Sequence, residues 1–258
     1  MKDTQPPTPG IIRVGIGGWT YAPWRGSFYP AGLPQARELE YAAGRLSAIE
    51  INATFYGRQK PDSFAKWAAA VPDGFVFALK ASRYSVTRPV LAEAGPAIAD
   101  FFGQGLDRLG NRIGPILWQL PASRKFAADD IAAFLDLLPA ALGEQRLRHV
   151  VEASHPSFRD PAFAALGAAR NVAVAYVVRD DDPPPPDLTA DFVYVRLEST
   201  REEEPLGCEA ATLDRWAETA RGWATGGRDV YLFVIAGAKE RAPAAAEALI
   251  ARLRTAAG

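Results

Sequence analysis

Residues 48–70 read AIEINATFYGRQKPDSFAKWAAA, and this stretch contains the unit from which the fold can be predicted. The mainly apolar run 48–53 predicts a short β-strand, and the alanine-rich run 61–70 after a polar loop predicts a helix. A strand that is followed by a helix pairs in parallel with the next strand, because the helix carries the chain back to the starting edge of the sheet. Repetition of this unit therefore predicts an α/β protein with a parallel sheet.

The same alternation of strand and helix runs through the rest of the chain. Further strands are predicted at residues 11–16, 75–79, 115–120, 149–153, 172–178, 192–197 and 230–235. Further helices are predicted at residues 35–45, 96–109, 127–142, 160–169, 212–224 and 243–256. Eight strands in about 250 residues favour a single TIM-type (β/α)₈ barrel over an open, doubly wound sheet.

One connection departs from this pattern. Residues 179–190 read RDDDPPPPDLTA and join the sixth and seventh strands. A run of prolines cannot be helical and prefers an extended conformation, so we expect the helix between these strands to be missing or reduced. A domain boundary here is the alternative, but the strands resume at once. We therefore expect a flexible tail at residues 1–10 and one barrel domain at residues 11–258.

The composition excludes several classes of protein. The 258 residues carry 29 basic and 30 acidic side chains, a net charge of −1, which gives no overall field toward nucleic acid or a membrane. Cys208 is the only cysteine, so neither an internal disulfide nor a cysteine-based metal site can form. No signal peptide or apolar run of spanning length is evident. We expect a soluble, cytoplasmic protein with no membrane partner.

Polar side chains recur near the carboxyl ends of the predicted strands. In the second strand Glu50 and Asn52 lie on the face opposite to Ile49 and Ile51, since side chains alternate along a strand. Four other strands place one polar residue in phase with apolar ones: Lys80, Gln119, Glu152 and Arg196. The carboxyl ends of barrel strands converge at one mouth, where barrel enzymes have their active sites.

The four charged residues of this set can be explained in two ways. Glu50 and Glu152 balance Lys80 and Arg196, and a buried charge must be paired, so they can form an ion-pair network that only plugs the barrel. They can equally line a ligand site. The surrounding sequence favours the site, because Gly15, Gly17 and Gly18 are expected to leave open space. Aromatic walls are expected from the residues after the first two strands: Trp19, Tyr21, Trp24, Phe55 and Tyr56.

Several motifs together resemble the DUF72 (YecE-like) family. The first is GGWTY at residues 17–21, followed by WRGSFYP at residues 24–30, and the second is EINATFY at residues 50–56. Weaker matches follow in family order: Pro61, Trp67, residues 77–80, QLP at 119–121, Glu152, HPS at 155–157 and YVRL at 194–197. The resemblance covers roughly residues 12–253. It implies a TIM-barrel fold and leaves the reaction open, because the family has no assigned activity.

The chain departs from the family pattern at the barrel mouth. The departures are Ser154 and Phe158 in the fifth-strand motif, Arg88 in place of a histidine, Glu198-Ser199 in place of His-Gly, and Val234-Ile235 in place of a pair of asparagines. Because these positions lie where the family's site is expected, the chain can be a divergent member that binds a ligand without turning it over.

The favoured hypothesis is acid–base chemistry, of hydrolase or lyase type, on a small polar or anionic substrate at the barrel mouth. Two carboxylates in different environments can serve as general acid and base, and we assign Glu50, Glu152 and Lys80 as catalytic, with Lys80 holding one carboxylate ionised. The expected ligand-binding residues are Trp19, Tyr21, Asn52, Tyr56, Gln119, His155 and Arg196.

Other chemistries are less favoured. Glu50, Glu152 and His155 are a possible oxygen-rich metal set, but no metal-ligand spacing supports them, and we expect neither a metal nor a cofactor. The run 236–239 after the eighth strand is a weak phosphate-binding signal. Basic residues follow the second and third strands, at Arg58, Lys60, Arg83 and Arg88, and the nearby Phe55, Tyr56 and Tyr84 can stack on bases. Nucleic-acid binding is thus possible, although the balanced charge does not favour it.

Overall fold

The fold is an eight-stranded parallel barrel surrounded by helices, as the sequence predicted. It is seen in a computed structural model, which describes residues 8–179 and 187–255. The strands are β1 (Ile12–Gly17), β2 (Ala48–Ile51), β3 (Val76–Lys80), β4 (Ile113–Gln119), β5 (His149–Glu152), β6 (Ala173–Val174 and Tyr176–Val178), β7 (Phe192–Leu197) and β8 (Asp229–Val234). Each pairs in parallel with its neighbours in chain order, and β1 pairs with β8.

The barrel closes through β6, which changes its partner at Ala175. The first segment pairs with β5, where Val150 lies opposite Ala173, and the amide of Ala175 donates to the carbonyl of Val151 at 2.9 Å. The second segment pairs with β7, where Val195 lies opposite Tyr176. The predicted strand at residues 172–178 is therefore one strand with a break at its centre, and it connects the two ends of the sheet.

Nine α-helices are found among the described residues, most of them packed outside the barrel. They are α1 (Glu38–Ala43), α2 (Ala53–Tyr56), α3 (Pro61–Ala69), α4 (Arg83–Val86), α5 (Gly95–Phe102), α6 (Ala128–Asp136), α7 (Pro161–Ala169), α8 (Ala210–Thr225) and α9 (Ala242–Thr255). Short 3₁₀ turns are at Ala22–Trp24, Gln35–Arg37, Leu91–Glu93, Leu106–Arg112, Pro156–Arg159 and Lys239–Arg241. None of the helices between residues 8 and 179 or 187 and 255 is long and apolar enough to cross a membrane.

The predicted extent of the helix at residues 127–142 was wrong. The helix predicted at residues 127–142 ends at Asp136, because Pro139 follows and Ala141–Leu142 forms a small antiparallel hairpin with Gln145–Arg146. Gly143, with φ of +59°, supplies the left-handed conformation that this tight turn needs. The sequence also gave no indication of α2 and α4, two single-turn helices at the barrel mouth.

The two irregular segments fall partly outside the described residues. No helix is present between β6 and β7 in residues 179 and 187–191, and the predicted proline segment, Pro183–Pro186, lies outside the described part of the chain. Of the predicted tail at residues 1–10, the first seven are likewise not described. The amide of Gly10 donates to the carbonyl of Ala224 at 2.9 Å, so the chain is attached to the barrel from that residue onward.

Two buried layers result from the alternation along the strands. One set of residues packs outward against the helices, while the other fills the barrel interior with mostly apolar side chains, including Ala48, Ala78, Leu117, Val150 and Tyr194. Toward the carboxyl ends, the positions in phase with these interior residues are polar. The interior layer therefore changes from an apolar floor to a charged upper layer.

The expectation that glycines open space in β1 was wrong at Gly15. A Cβ atom there would lie 2.0 Å from the carbonyl oxygen of Ala48, so Gly15 allows β1 and β2 to approach closely. At Gly17 a Cβ would lie 3.2 Å from Ile235 and 3.4 Å from the Asn52 side chain. Of these three glycines, only Gly18 has free space around it. Its φ of +73° is also a left-handed conformation, which glycine adopts more easily than other residues.

Candidate functional site

The centre of the charged upper layer is Arg196, near the end of β7. Its Nε and Nη2 donate to Glu50 Oε2 and Oε1 at 3.2 and 3.3 Å, which is a bidentate pair. Its Nη1 donates to Glu152 Oε2 at 2.7 Å and to Glu198 Oε1 at 3.1 Å. One buried guanidinium thus binds carboxylates from three sides of the barrel mouth, a geometry that five fixed N–H donors allow.

Glu50 is fully buried, and its Oε2 accepts two hydrogen bonds. The hydroxyl of Tyr194 donates to Glu50 Oε2 at 2.7 Å, beside the bond from Arg196. Burial and the carboxylate of Glu50 raise the pKa of Tyr194 well above its ordinary value, so this hydroxyl stays protonated. Burial works against the charge of Arg196, but the carboxylates of Glu50 and Glu152 outweigh it and raise its pKa.

Glu152 lies closer to the opening of the barrel. Its Oε1 accepts a 2.7 Å hydrogen bond from Gln119 Nε2, at the end of the neighbouring strand β4, and its Oε2 is bonded to Arg196. Gln119↔Glu152 is also a register pair of the two strands, so the backbone itself brings these side chains together. Glu198 extends the network outward, since its Oε2 accepts from Arg179 Nε at 3.0 Å.

Lys80 is in this layer but does not pair with either glutamate. No hydrogen bond or ion pair of its Nζ is found within the described residues, and the ammonium lies 4.4 Å from the centroid of the Phe55 ring. The side chain is buried, with 8% of the residue exposed. Burial and the nearby charge of Arg196 lower the pKa of Lys80, while Glu50, Glu152 and Glu198 act in the opposite direction.

This arrangement corrects the pairing expected from the sequence. Lys80 was expected to hold one carboxylate ionised, whereas Arg196 holds both Glu50 and Glu152. The physical reason is the number and geometry of the donors. A planar guanidinium has five N–H donors in a fixed fork and can bind several carboxylates at once, whereas an ammonium is a compact point charge. The lysine therefore remains free for another partner.

A cavity of about 430 Å³ lies beside the charged layer, at the ends of β1 and β2. Trp19, Asn52 and Tyr56, which were expected to bind a ligand, line it together with Trp67 and Lys239. Trp19 and Trp67 meet edge to face with ring centroids 5.2 Å apart, and Tyr56 is 66% exposed. The walls are thus aromatic with a few polar groups, which is typical of a site for small molecules.

The cavity and Lys80 are neighbours through the register of the sheet. Ile51 of β2 lies opposite Leu79 of β3. Lys80 follows Leu79 as the last residue of β3, whereas Asn52 follows Ile51 in helical conformation and precedes α2. Lys80 does not itself line the cavity, but a small molecule that contacts Asn52 lies at the end of the strand next to that of the lysine.

The loop after β1 supports this cavity from outside. Tyr29 donates to the carbonyl of Trp19 at 2.5 Å, and Trp24 donates through Nε1 to the carbonyl of Lys239 at 3.0 Å. Both aromatic residues are almost fully buried. Arg25 pairs with the buried Glu38 at 2.8 Å. The WRGSFYP motif thus has a structural part, which fixes two residues of the cavity wall.

Two of the expected ligand-binding residues lie elsewhere. Tyr21 donates to Glu240 Oε1 at 2.9 Å and its ring is covered by the ammonium of Lys239 at 4.6 Å. His155 begins a 3₁₀ turn, where its Nδ1 lies 2.8 Å from Ser157 Oγ and accepts from the amide of Ser157. Both contacts fix loops, and neither side chain joins the network around Arg196.

The positions that depart from the family pattern have mostly structural surroundings. Phe158 is buried against Phe126 and Phe163, and Ser154 is exposed. Val234 is fully buried, while Ile235 borders Gly17. Glu198 and Arg88 are the exceptions, because Glu198 binds Arg196 directly and Arg88 lines a second cavity.

A second cavity, of about 490 Å³, opens between α2, α4 and α5. Arg58 and Arg88 line it with the exposed Tyr84, in the region where basic and aromatic residues were noted in the sequence. Arg58 is paired with Asp100 at 2.5 Å, and the buried Nε of Arg88 has no hydrogen-bond partner in the described part of the chain. No group of three or more metal-ligating side chains is found within residues 8–179 and 187–255.

Sequence reasoning missed two members of the site, Tyr194 and Glu198. Both lie on the same side of β7 as Arg196, at spacings of two residues, so their phase was visible. Tyr194 was named only as part of the YVRL motif, although its hydroxyl needs a partner when buried. The signal that could have identified Tyr194 is its position two residues before Arg196, on the same face of the strand.

Comparison with known proteins agrees with this architecture. The profile described as "Protein of unknown function DUF72" matches residues 13–258. UPF0759 protein YecE of Escherichia coli K12 is 28% identical over 151 residues, which cover 57% of this chain and 50% of the relative; the match spans about half of that protein's length.

Two solved structures are similar over nearly the whole chain. A DUF72 family protein from Thermotoga maritima MSB8 superposes with a TM-score of 0.73 at 19% identity, covering 96% of this chain and 99% of the other. One from Enterococcus faecalis V583 gives 0.68 at 14% identity, covering 97% and 99%. At these identities the structures show a shared fold. Together with the profile match, they establish that the chain belongs to the DUF72 family.

Proposed function

We propose that the protein is an acid–base enzyme that acts on a small polar or anionic substrate at the carboxyl end of its barrel. The observation that carries this proposal is the free ammonium of Lys80 in a buried, charged layer. A layer that served only to plug the barrel would pair every buried charge, because an unpaired one costs several kcal/mol. An unpaired lysine in a cleft is a candidate for proton transfer or for binding an anion.

The roles follow from the degree to which each side chain is already bonded. Glu50 is fully buried and held by Arg196 and Tyr194, so it acts as a positioning residue. Glu152 lies nearer the opening, and Gln119 directs one of its oxygens. Lys80 takes and returns the proton in this proposal, while Glu152 is the second acid–base group. Arg196 keeps the carboxylates in place throughout.

The substrate is proposed to lie in the 430 Å³ cavity, with Asn52 as its contact nearest to Lys80. Trp19 and Tyr56 offer flat apolar faces to the carbon skeleton. Lys239 offers a cationic group at the far side of the same cavity. These features suit a molecule of few carbon atoms with hydroxyl or carboxylate groups.

The second candidate is a barrel that binds a ligand, including nucleic acid, without turnover. The observation that favours it is the cavity lined by Arg58, Arg88 and Tyr84, because arginine and exposed tyrosine are the residues that hold phosphates and stack on bases. The two candidates use different faces of the mouth. Variants of Arg88 and of Lys80 therefore distinguish them.

The experiment follows proton transfer directly. A panel of small hydroxy acids and sugars is incubated with the protein in D₂O, and loss of carbon-bound proton signals is followed by ¹H NMR. We expect exchange with at least one compound, loss of that exchange in Lys80→Met, and normal exchange in Lys125→Met, which changes an exposed lysine of the loop after β4 that lines neither of the two cavities. Absence of exchange across the panel, with binding that depends on Arg88 instead, would contradict the proposal.

A further inference from the structure

We infer that the amine of Lys80 forms an imine with a small aldehyde or ketone, so that the substrate class of the site is a carbonyl compound. This inference rests on the proposed function, because it uses the same lysine and the same cavity. It goes further by naming the reacting atom, the Nζ of Lys80, and the reacting group, a carbonyl carbon.

The first argument is the position of the nitrogen. Lys80 ends β3 with its side chain in the interior layer, at the mouth where small molecules enter a barrel. Its Nζ lies over the Phe55 ring and donates no hydrogen bond to the described residues. Formation of a covalent bond therefore disrupts no existing contact except the one with the ring.

The second argument is the state of the surrounding charges. Four charged groups around the barrel mouth act on Lys80: Glu50 on β2, Glu152 on β5, and Arg196 and Glu198 on and after β7. The three carboxylates are all bonded to Arg196, so none of them fixes the lysine as an ammonium by a direct ion pair. Desolvation of the buried side chain favours the neutral amine, which is the nucleophile.

The third argument is that the product fits the same charges. The neutral amine attacks the carbonyl carbon, its lone pair forms the new C–N bond, and the carbonyl oxygen takes up a proton to give a carbinolamine. The C–O bond then breaks and the oxygen leaves as water, which carries the two protons that the amine nitrogen has lost; this gives an imine, and one further proton on the nitrogen makes it an iminium ion. The carboxylates of Glu50 and Glu152 stabilise that positive charge, as they do the charge of Arg196.

The fourth argument concerns how the site would select a carbonyl compound. Asn52 follows the last residue of β2, the strand next to that of Lys80, and lines the cavity; its side-chain amide makes only a long contact of 3.5 Å with the carbonyl of Glu50. Its N–H groups are thus available to a substrate hydroxyl or carbonyl oxygen next to the amine. Trp19 lines the same cavity and offers an apolar face to the carbon atoms of the compound.

The experiment traps the imine on the unmodified protein. Glycolaldehyde, a neutral probe, and glyoxylate, an anionic one, are each added with sodium cyanoborohydride, which reduces an iminium to a stable secondary amine. Peptide mapping by mass spectrometry then compares the six lysines of the chain: Lys2, Lys60, Lys66, Lys80, Lys125 and Lys239. We expect labelling at Lys80 to be about tenfold faster than at exposed lysines, because more of a desolvated amine is neutral.

Three controls make the outcome decisive. Lys80→Arg keeps a cation at the position but cannot form an imine, and should lose the label while Lys125→Arg keeps it. Formaldehyde, the smallest aldehyde, is the measure of access to Lys80. If formaldehyde modifies Lys80 but neither larger probe does so faster than at Lys125, the inference is overturned, and the proton-transfer proposal still stands on its own deuterium test. If even formaldehyde fails to reach Lys80, both proposals are overturned together.

Discussion

The guanidinium of Arg196 binds the carboxylate of Glu50 along one edge, with both pairs of atoms 3.2–3.3 Å apart in the interior of the barrel. The remaining nitrogen of the same group binds Glu152 and Glu198. One cation therefore binds three carboxylates of a layer to which Lys80 also belongs. Arg196 therefore holds the carboxylates of the mouth in place, whereas Lys80 has no ion pair within the described residues.

Replacement of Arg196 by methionine should destabilise the fold strongly. Glu50 and Glu152 would be left buried without their cation, and breaking a buried pair in this way costs about 3–5 kcal/mol. The matched control is Arg179→Met, which removes a half-exposed arginine from Glu198 and should cost about 0–1 kcal/mol. Chemical denaturation of both variants gives the comparison, and equal losses would show that the central pair is not the anchor of the layer.

Tyr194→Phe should weaken the same layer by a smaller amount. The change removes one 2.7 Å hydrogen bond to a charged oxygen of Glu50 but leaves the bond from Arg196. Such a hydrogen bond contributes about 2 kcal/mol. Tyr56→Phe, at a side chain that is 66% exposed, is the control and should change the free energy of unfolding by less than about 0.5 kcal/mol. A Tyr194 variant as stable as this control would mean that the hydroxyl contributes nothing.

The sequence predicted the faces of the strands well and the contacts between them poorly. The alternation of side chains along each strand was enough to place Glu50, Lys80 and Arg196 in one layer, because in a closed barrel every second residue points inward. The pairing within that layer depends on how far each side chain reaches across the barrel. Arg196 and Glu50 are 146 positions apart, so no local pattern could assign them to each other.

The loops at the mouth show the same limit. The aromatic residues after β1 were all expected to line the site, but Tyr21 turns to Glu240 whereas Trp19 faces the cavity. The difference is set by contacts with the segment after β8, more than two hundred residues further along the chain. Gly15 was similarly ambiguous, since a missing side chain permits either an open space or a close approach of strands, and only the register of β1 on β2 decides.

The stability of the protein should fall in mild acid because of His149. This buried imidazole at the start of β5 accepts a hydrogen bond from Trp118 Nε1 at 3.1 Å and contacts the carbonyl of Pro139 at 2.8 Å. Burial lowers its pKa from 6.5 to about 4. Between these values the unfolded chain binds a proton that the folded one does not, so stability is lost as the pH falls from 6.5 and the loss is complete below about 4.

The size of this loss and its control are both measurable. The difference in pKa corresponds to about 3 kcal/mol. His149→Gln keeps one acceptor and one donor but does not titrate, so its unfolding free energy should vary less with pH over the same range. The idea fails if denaturation curves of parent and variant show the same pH dependence between pH 7 and about 4.

Lys80→Met tests whether the charged layer is a plug or a site. In a plug, removal of the lysine would leave a glutamate unpaired and cost about 3–5 kcal/mol. The structure shows both glutamates bound to Arg196, so we expect a change of at most about 1 kcal/mol at neutral pH, with methionine equal to or better than lysine. The pH dependence gives a second check. Because the pKa of Lys80 is lowered in the folded state, the cost of its buried charge is fully present below that folded pKa.

As the pH rises toward the ordinary lysine value of 10.5, the folded protein releases this proton before the unfolded chain does, and the parent gains stability. The advantage of the methionine variant should therefore shrink with rising pH, and Lys125→Met should show no such trend. If Lys80→Met lowers the free energy of unfolding by more than about 3 kcal/mol at neutral pH, Lys80 has a structural role, because a broken buried pair gives an effect of that size. With the fold intact, the same variant should lose both deuterium exchange and the trapped adduct, since each depends on the one amine that the layer leaves unpaired.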